Sequence, residues 1–190
     1  MALESRAALG AVYRVTSDFL NERGLMADMK ASLSQPSRAV LDKLPFAFSW
    51  QPYAALEEIE TRLYAKSPQL SADLGFYAAK FLSGSVVAPV FKMALSLFGR
   101  TPDAIYGNLD RFFSMVVRGF NFRYEGGGEK QGRVVVSIEG GPVHPSLFQQ
   151  IKGNLAMMYG ICDADGTVDE PQVIRSDGEG AEIALGVHWK

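Results

Sequence analysis

Gly119-Phe120-Asn121-Phe122-Arg123-Tyr124-Glu125-Gly126-Gly127-Gly128 is the stretch at which the periodicity of this chain changes. Phe120, Phe122 and Tyr124 alternate with Asn121, Arg123 and Glu125, the two-residue repeat of a strand with one buried face. The three glycines break the run and Val134, Val136 and Ile138 resume it, so residues 120–139 are predicted to form a hairpin. His144-Pro145-Ser146 then opens a helix that turns Leu147, Ile151, Leu155 and Met158 inward and ends near Gly160. Val168–Ile174 and Ile183–Trp189 form a second hairpin about Asp177-Gly178-Glu179-Gly180.

Upstream of Gly119 the pattern is helical. Leu9, Val12, Tyr13, Val15, Phe19 and Leu20 recur at three- and four-residue spacing, with Gly24 as a stop. Helical turns follow near Leu25–Ser32 and Ser37–Leu41. Gln51-Pro52 is read as the start of the next helix, with Leu56, Ile59, Leu63 and Tyr64 on its inner face and Glu57, Glu58, Glu60 and Arg62 on its solvated side. Ser67-Pro68 opens another, through Phe76, Tyr77 and Phe81 to Ser83-Gly84-Ser85. The segment Val86–Phe98 is apolar enough to be expected through the centre of the domain. Thr101-Pro102-Asp103 starts the last helix of this half, Thr101 capping it and Ile105, Leu109, Phe112, Phe113, Val116 and Val117 facing inward. The sum is an α+β single domain over 1–190: a helical half (1–118) packed on a strand-rich half (119–190) whose sheet has four antiparallel strands in the order strand-strand-helix-strand-strand, the two sharing one core.

Composition narrows the chemistry. A chain of 190 residues that is 47% hydrophobic can bury a core without disulfides or a structural metal. One cysteine and two histidines leave too few ligands for a Cys/His zinc cage. A net charge of −2 with both signs interspersed offers no basic stripe for nucleic acid. The N-terminal residues carry Glu4 and Arg6 and no signal-peptide core, which points to the cytoplasm. Leu74–Phe98 is long and apolar, but Gly84 and Pro89 interrupt it and Lys80 and Lys92 lie inside it, so no integral membrane segment is expected.

Arg118-Gly119-Phe120-Asn121-Phe122, Glu139 followed by His144-Pro145, the helix with Ile151, Gly153 and Leu155, and Asp177-Gly178-Glu179-Gly180-Ala181 closing on Trp189 together resemble a myxobacterial paralogous family of unknown function. Trp50-Gln51-Pro52-Tyr53 and Leu74-Gly75 fall where that family has similar residues. That family is in turn similar to the 4-vinyl-reductase domain, to haem nitric-oxide/oxygen-binding domains and to TRAPP subunits. The resemblance implies helices on an antiparallel sheet, an apolar cavity between them that in some relatives holds haem, a phenol or an acyl chain, frequent dimerisation, and roles in sensing or assembly. Each implied role needs its residues. The haem-binding relatives take an axial histidine from the helix before the first hairpin and carry Tyr-x-Ser-x-Arg on a following strand. Here Pro102–Arg118 has no histidine, and 133–139 reads Arg-Val-Val-Val-Ser-Ile-Glu. The zinc of the phenol-sensing relatives needs a cysteine cluster, and the acylated TRAPP cysteine lies in the N-terminal half, whereas Cys162 ends the last helix.

Other motifs have bland readings beside their chemical ones. Gly140-Gly141-Pro142-Val143-His144-Pro145 is either an anion-binding helix start or a tight connection. Asp163-Ala164-Asp165-Gly166-Thr167-Val168-Asp169-Glu170 resembles part of a calcium loop, but Ile161 and Gln172 would occupy its first and last ligand positions, which favours an acidic turn. Cys162 has only His144 and His188 as imidazole partners, in other elements, and is expected to be a structural thiol. No serine sits in a Gly-x-Ser-x-Gly elbow.

What remains is a density of apolar side chains, Phe76, Phe81, Phe91, Met93, Phe98, Phe112, Phe113, Phe120 and Phe122, which either fills the core or lines a cavity. The expectation is a non-enzymatic module, without haem, metal or other cofactor, that binds a small apolar or acyl ligand for sensing or signalling. Its candidate pocket residues are Phe76, Phe81, Phe91, Phe98, Phe112, Phe113 and Phe122. The alternative is a protein-interaction or scaffold subunit acting as a homodimer through its N-terminal helices, and a carboxylate-based enzyme stands third.

Overall fold

In the computed structural model, which describes residues 6–84 and 88–190, a short strand β1 (Ala7–Leu9) precedes α1 (Gly10–Glu22), α2 (Met26–Ser32) and α3 (Gln35–Asp42). The apolar stripe of α1 is buried as its spacing demands: Val12, Tyr13, Val15, Phe19 and Leu20 are all enclosed. Gln51-Pro52 does not start a helix. It belongs to β2 (Trp50–Pro52), which pairs antiparallel with β1, and α4 begins two residues later (Ala54–Lys66). Proline is tolerated there because β2 is an edge strand, where a missing N–H costs nothing. The Pro52 carbonyl accepts the Tyr13 hydroxyl, which ties this edge to α1.

The helix α5 (Pro68–Gly84) follows as the Ser-Pro start predicts, and α6 (Ala88–Phe98) comes after it. The expectation that α6 runs through the centre is wrong. Met93 is 58% and Leu97 70% exposed, and Pro89, Lys92 and Ser96 also face outward, so α6 lies on the periphery against α5 and α7 (Pro102–Tyr106). Apolar composition alone sets no position, because burial depends on which elements cover a face. No helix among the described residues is long and apolar enough to cross a membrane.

Thr101 caps α7 by accepting from the Ala104 amide at 3.3 Å. The single helix predicted beyond it is instead α7, α8 (Leu109–Phe113) and a short strand β3 (Val117–Arg118) that joins β1, so the helical half carries a three-stranded sheet of its own. The first hairpin is as read: β4 (Phe120–Gly126) pairs with β5 (Gln131–Glu139), Phe122 opposite Val136. α9 (Pro145–Cys162) buries Leu147, Ile151, Leu155 and Met158.

The main sheet has five strands rather than four. The predicted strand 168–174 divides into β6 (Gly166–Val168) and β7 (Gln172–Ser176), which both pair with β8 (Gly180–Trp189), β6 near its end and β7 near its start. Pro171, which has no N–H to donate, lies in the interruption, where the Asp169 amide bonds the Gly186 carbonyl. Inner-face residues Val134, Val136, Ile138, Ile183, Leu185 and Val187 pack in one cluster with residues of α1, α8 and α9. A smaller cluster of Phe19, Leu20, Met29, Ile59, Leu63 and Leu74 lies among the helices.

Candidate functional site

The alternation of β4 puts Phe120 and Phe122 on the same face, toward the helices. Phe122 stacks on Phe113 of α8 with ring centroids 4.3 Å apart and planes 15° from parallel, and Phe120 tilts against Tyr53 at 5.4 Å. With Val116 and Val117 these rings form one wall of a pocket of about 50 Å³. The opposite wall comes from Val12 of α1, Ala78 of α5 and Leu147 and Ile151 of α9. Two glycines set the helix spacing behind it. A Cβ at Gly75 would lie 2.0 Å from the Gln150 carbonyl oxygen, and one at Gly153 would lie 1.8 Å from that of Ala72. Only backbones without side chains let α5 and α9 approach so closely.

Three polar side chains interrupt the apolar lining: Tyr53, Gln150 and Asn154. Gln150 and Asn154 are one helical turn apart on α9 and so share a face. The Tyr53 hydroxyl donates to Glu60 Oε1 at 2.7 Å and lies 3.4 Å from Gln150 Oε1. Glu60 is 1% exposed, and its Oε2 has no hydrogen-bond partner. Burial pushes its carboxyl up to about 8, while the Tyr53 hydroxyl, the Gln150 carboxamide and Arg6 favour the charged form and Glu57 opposes it. Burial and the neighbouring Glu60 likewise hold the Tyr53 phenol well above its ordinary value. The assignment of Glu60 to the solvated side of α4 is therefore corrected. At roughly 100° per residue Glu60 falls only about 40° from Leu56, within the inner face, so the spacing could have placed it.

Arg6 fastens this corner. Its guanidinium reaches Glu57 Oε1 at 3.2 Å and donates to the carbonyls of Pro142 and Gly140 at 3.2 and 3.5 Å. The glycine turn it holds is a connection rather than an anion site: the amides of Gly140 and Gly141 both donate to the Glu179 carbonyl. His144 caps α9, its Nδ1 accepting from the Ser146 amide at 3.2 Å, with the ring edge-on to Tyr64.

Of the candidate pocket residues, the structure brings Phe113 and Phe122 to the pocket, and Phe120, singled out only as part of the apolar density, joins them. Phe112 is buried outside its lining. Phe76 and Phe81 are 45% and 44% exposed on α5, Phe81 beside an open groove with Glu22, Tyr77 and Lys80. The side chains of Phe91 and Phe98 lie outside the described residues. Sequence reasoning missed Tyr53, Gln150 and Asn154, because polar residues on helices read as solvated until a partner element covers them.

The remaining candidates are occupied structurally. The Cys162 thiol donates to the Met158 carbonyl, and burial raises it to about 11, away from thiolate chemistry. Asp163 ends α9 in the left-handed conformation, Asp169 meets His188 Nε2 at 3.0 Å, and Glu170 accepts from Gln149 and Lys152. No group of three or more potential metal-ligating side chains occurs among the described residues.

No protein-family model matches the chain, and no curated protein matches it in sequence. Solved structures do match it in shape. An unliganded Fe(II) H-NOX protein from K. algicida superposes with a TM-score of 0.70 at 8% identity, over 96% of each chain. An oxygen-binding H-NOX domain related to soluble guanylate cyclases, in its oxygen complex, gives 0.65 at 11% identity, over 95% of this chain and 94% of its own. Identity this low speaks only for architecture, and in architecture the helices and the antiparallel sheet follow the H-NOX fold.

Proposed function

We propose that this chain is a non-enzymatic, cytoplasmic sensory or ligand-binding module that takes a small, largely apolar molecule between helices and sheet and does so without haem. The observation that carries the reading is the pocket itself: a lining dominated by Val, Leu, Ile and Phe, with three polar groups and, among the described residues, no carboxylate. That is the form of a small-molecule site rather than of acid-base machinery.

The H-NOX neighbours raise haem directly, since they include Fe(II) and oxygen-complexed proteins. The residues lining this pocket do not fit it. Both histidines are engaged elsewhere, His144 at the start of α9 and His188 with Asp169 on β8. Among the described lining residues Tyr53 is the one oxygen donor of the axial-ligand kind, and its hydroxyl is spent on Glu60 and held far from phenolate. A pocket of about 50 Å³ is also far smaller than a porphyrin ring. Of the residues that carry the resemblance to the myxobacterial paralogous family, Phe120 and Phe122 line the pocket and Gly153 sits at the α5–α9 contact.

Titration of the purified protein with haemin, followed by its Soret band, tests the haem-free reading. No saturable shift is expected, and a stoichiometric shift abolished by changing Tyr53, His144 or His188 would overturn it.

A further inference from the structure

The polar groups in the pocket wall are specific in what they leave unmatched. Asn154 is half-buried, lines the pocket, and its carboxamide makes no hydrogen bond among the described residues. Gln150, 6% exposed, turns Oε1 toward Tyr53 at 3.4 Å. The Tyr53 hydroxyl has one hydrogen and gives it to Glu60, so toward the pocket its oxygen can only accept. Since Gln150 also serves Glu60, the wall offers the Asn154 carboxamide as donor and acceptor beside the Tyr53 oxygen as acceptor. A polar group buried against it without matching both is left unsatisfied, at the cost of desolvation.

Charge selects further. No Lys or Arg is among the described residues that line the pocket. The nearest guanidinium named in this corner, Arg6, is committed to Glu57 and to two carbonyls, and Glu57 and Glu60 are the carboxyl groups facing Tyr53. A carboxylate ligand would bring a charge that no cation in the described lining meets, and could only accept. A neutral carboxamide has one acceptor and a donor in a single plane, the complement of Asn154.

Resting on the small-molecule reading above, we propose that the pocket selects neutral carboxamides with a short apolar substituent, Asn154 reading the head group and Phe113, Phe122 and Ile151 taking the tail. Ligands with a carboxylate head are rejected.

The test is an NMR titration of methyl-labelled protein, following the pocket methyls of Val116, Leu147 and Ile151, with three probes: propionamide, isosteric propionate, and xenon as a purely apolar reporter. Propionamide is expected to bind at least tenfold more tightly than propionate. Asn154→Leu should reduce that preference to threefold or less while the xenon response persists, and Asn154→Ser, which keeps a small polar group, should fall between. Equal or tighter binding of propionate, or an unchanged preference in Asn154→Leu, overturns the proposal. Xenon binding without propionamide binding overturns it while leaving the apolar pocket standing; if xenon too leaves these methyls unmoved, the small-molecule reading falls with it.

Discussion

Glu60 couples the buried corner to pH, and the sign follows from its surroundings. Its carboxyl titrates near 8 in the folded protein against the ordinary carboxylate value in the unfolded chain. Between these values the native state holds the extra proton, so stability falls as pH rises through that window and is level above it. Glu60→Gln removes the dependence while keeping an acceptor for Tyr53. Denaturant unfolding should show the variant close to the parent at pH 5 and more stable by on the order of a few kcal/mol at pH 9; a constant difference across that range would refute the assignment. Ser71 is a second orphan: its Oγ is buried without a hydrogen-bond partner. Ser71→Ala should therefore be neutral or stabilising by up to about 1 kcal/mol, since a desolvated hydroxyl is removed and only a small void left. A clear loss in urea midpoint would show that the hydroxyl has a partner.

Among the elements, the α5–α9 crossing holds the site together. Gly75 and Gly153 bring backbone against backbone, and α9 carries Gln150 and Asn154 on the face this contact sets. Gly153→Ala would place a methyl where the Ala72 carbonyl stands, and the contact is backbone, so no side chain can swing aside. A cost of about 1–3 kcal/mol is expected despite the better helix propensity of alanine, together with loss of the xenon response in the pocket. Thermal unfolding unchanged from the parent would mean that α5 and α9 are further apart. This crossing was half legible: Leu74-Gly75 and Gly153 stand out in the sequence, but not as partners, because their residues are far apart along the chain. β6 and β7 show the same limit from the other side. Val168–Ile174 alternates well enough to read as one strand, and only pairing with β8 shows that Asp169–Pro171 divides it.

At the scale of the whole molecule, exposed apolar surface bears on the alternative of a dimeric interaction subunit. Phe46 and Phe48 are 70% and 62% exposed and pack on one another with centroids 5.7 Å apart, in the connection between α3 and β2. Large apolar groups left together in water favour association. If they do so here, light scattering of concentrated protein should give a dimer mass that Phe46→Ser/Phe48→Ser halves with unfolding unaffected. A monomer mass for the parent would dismiss this surface as an interface between copies.

The sequence by itself determined local features: the switch from helical to strand period at Gly119, the helix starts at Thr101 and His144, and the first hairpin are set by spacing and by residues touching their near neighbours. It also determined the poverty of ligands, since two histidines and one cysteine are a count. The tertiary structure alone decided which apolar residues meet. Phe113 and Phe122 stack while Phe76 and Phe81 face water, because burial depends on which element covers a face. It alone also showed Gln150 and Asn154 to be pocket residues. A polar side chain on a helix has the same sequence signature in solvent as in a cavity, and only the helix packed opposite tells them apart.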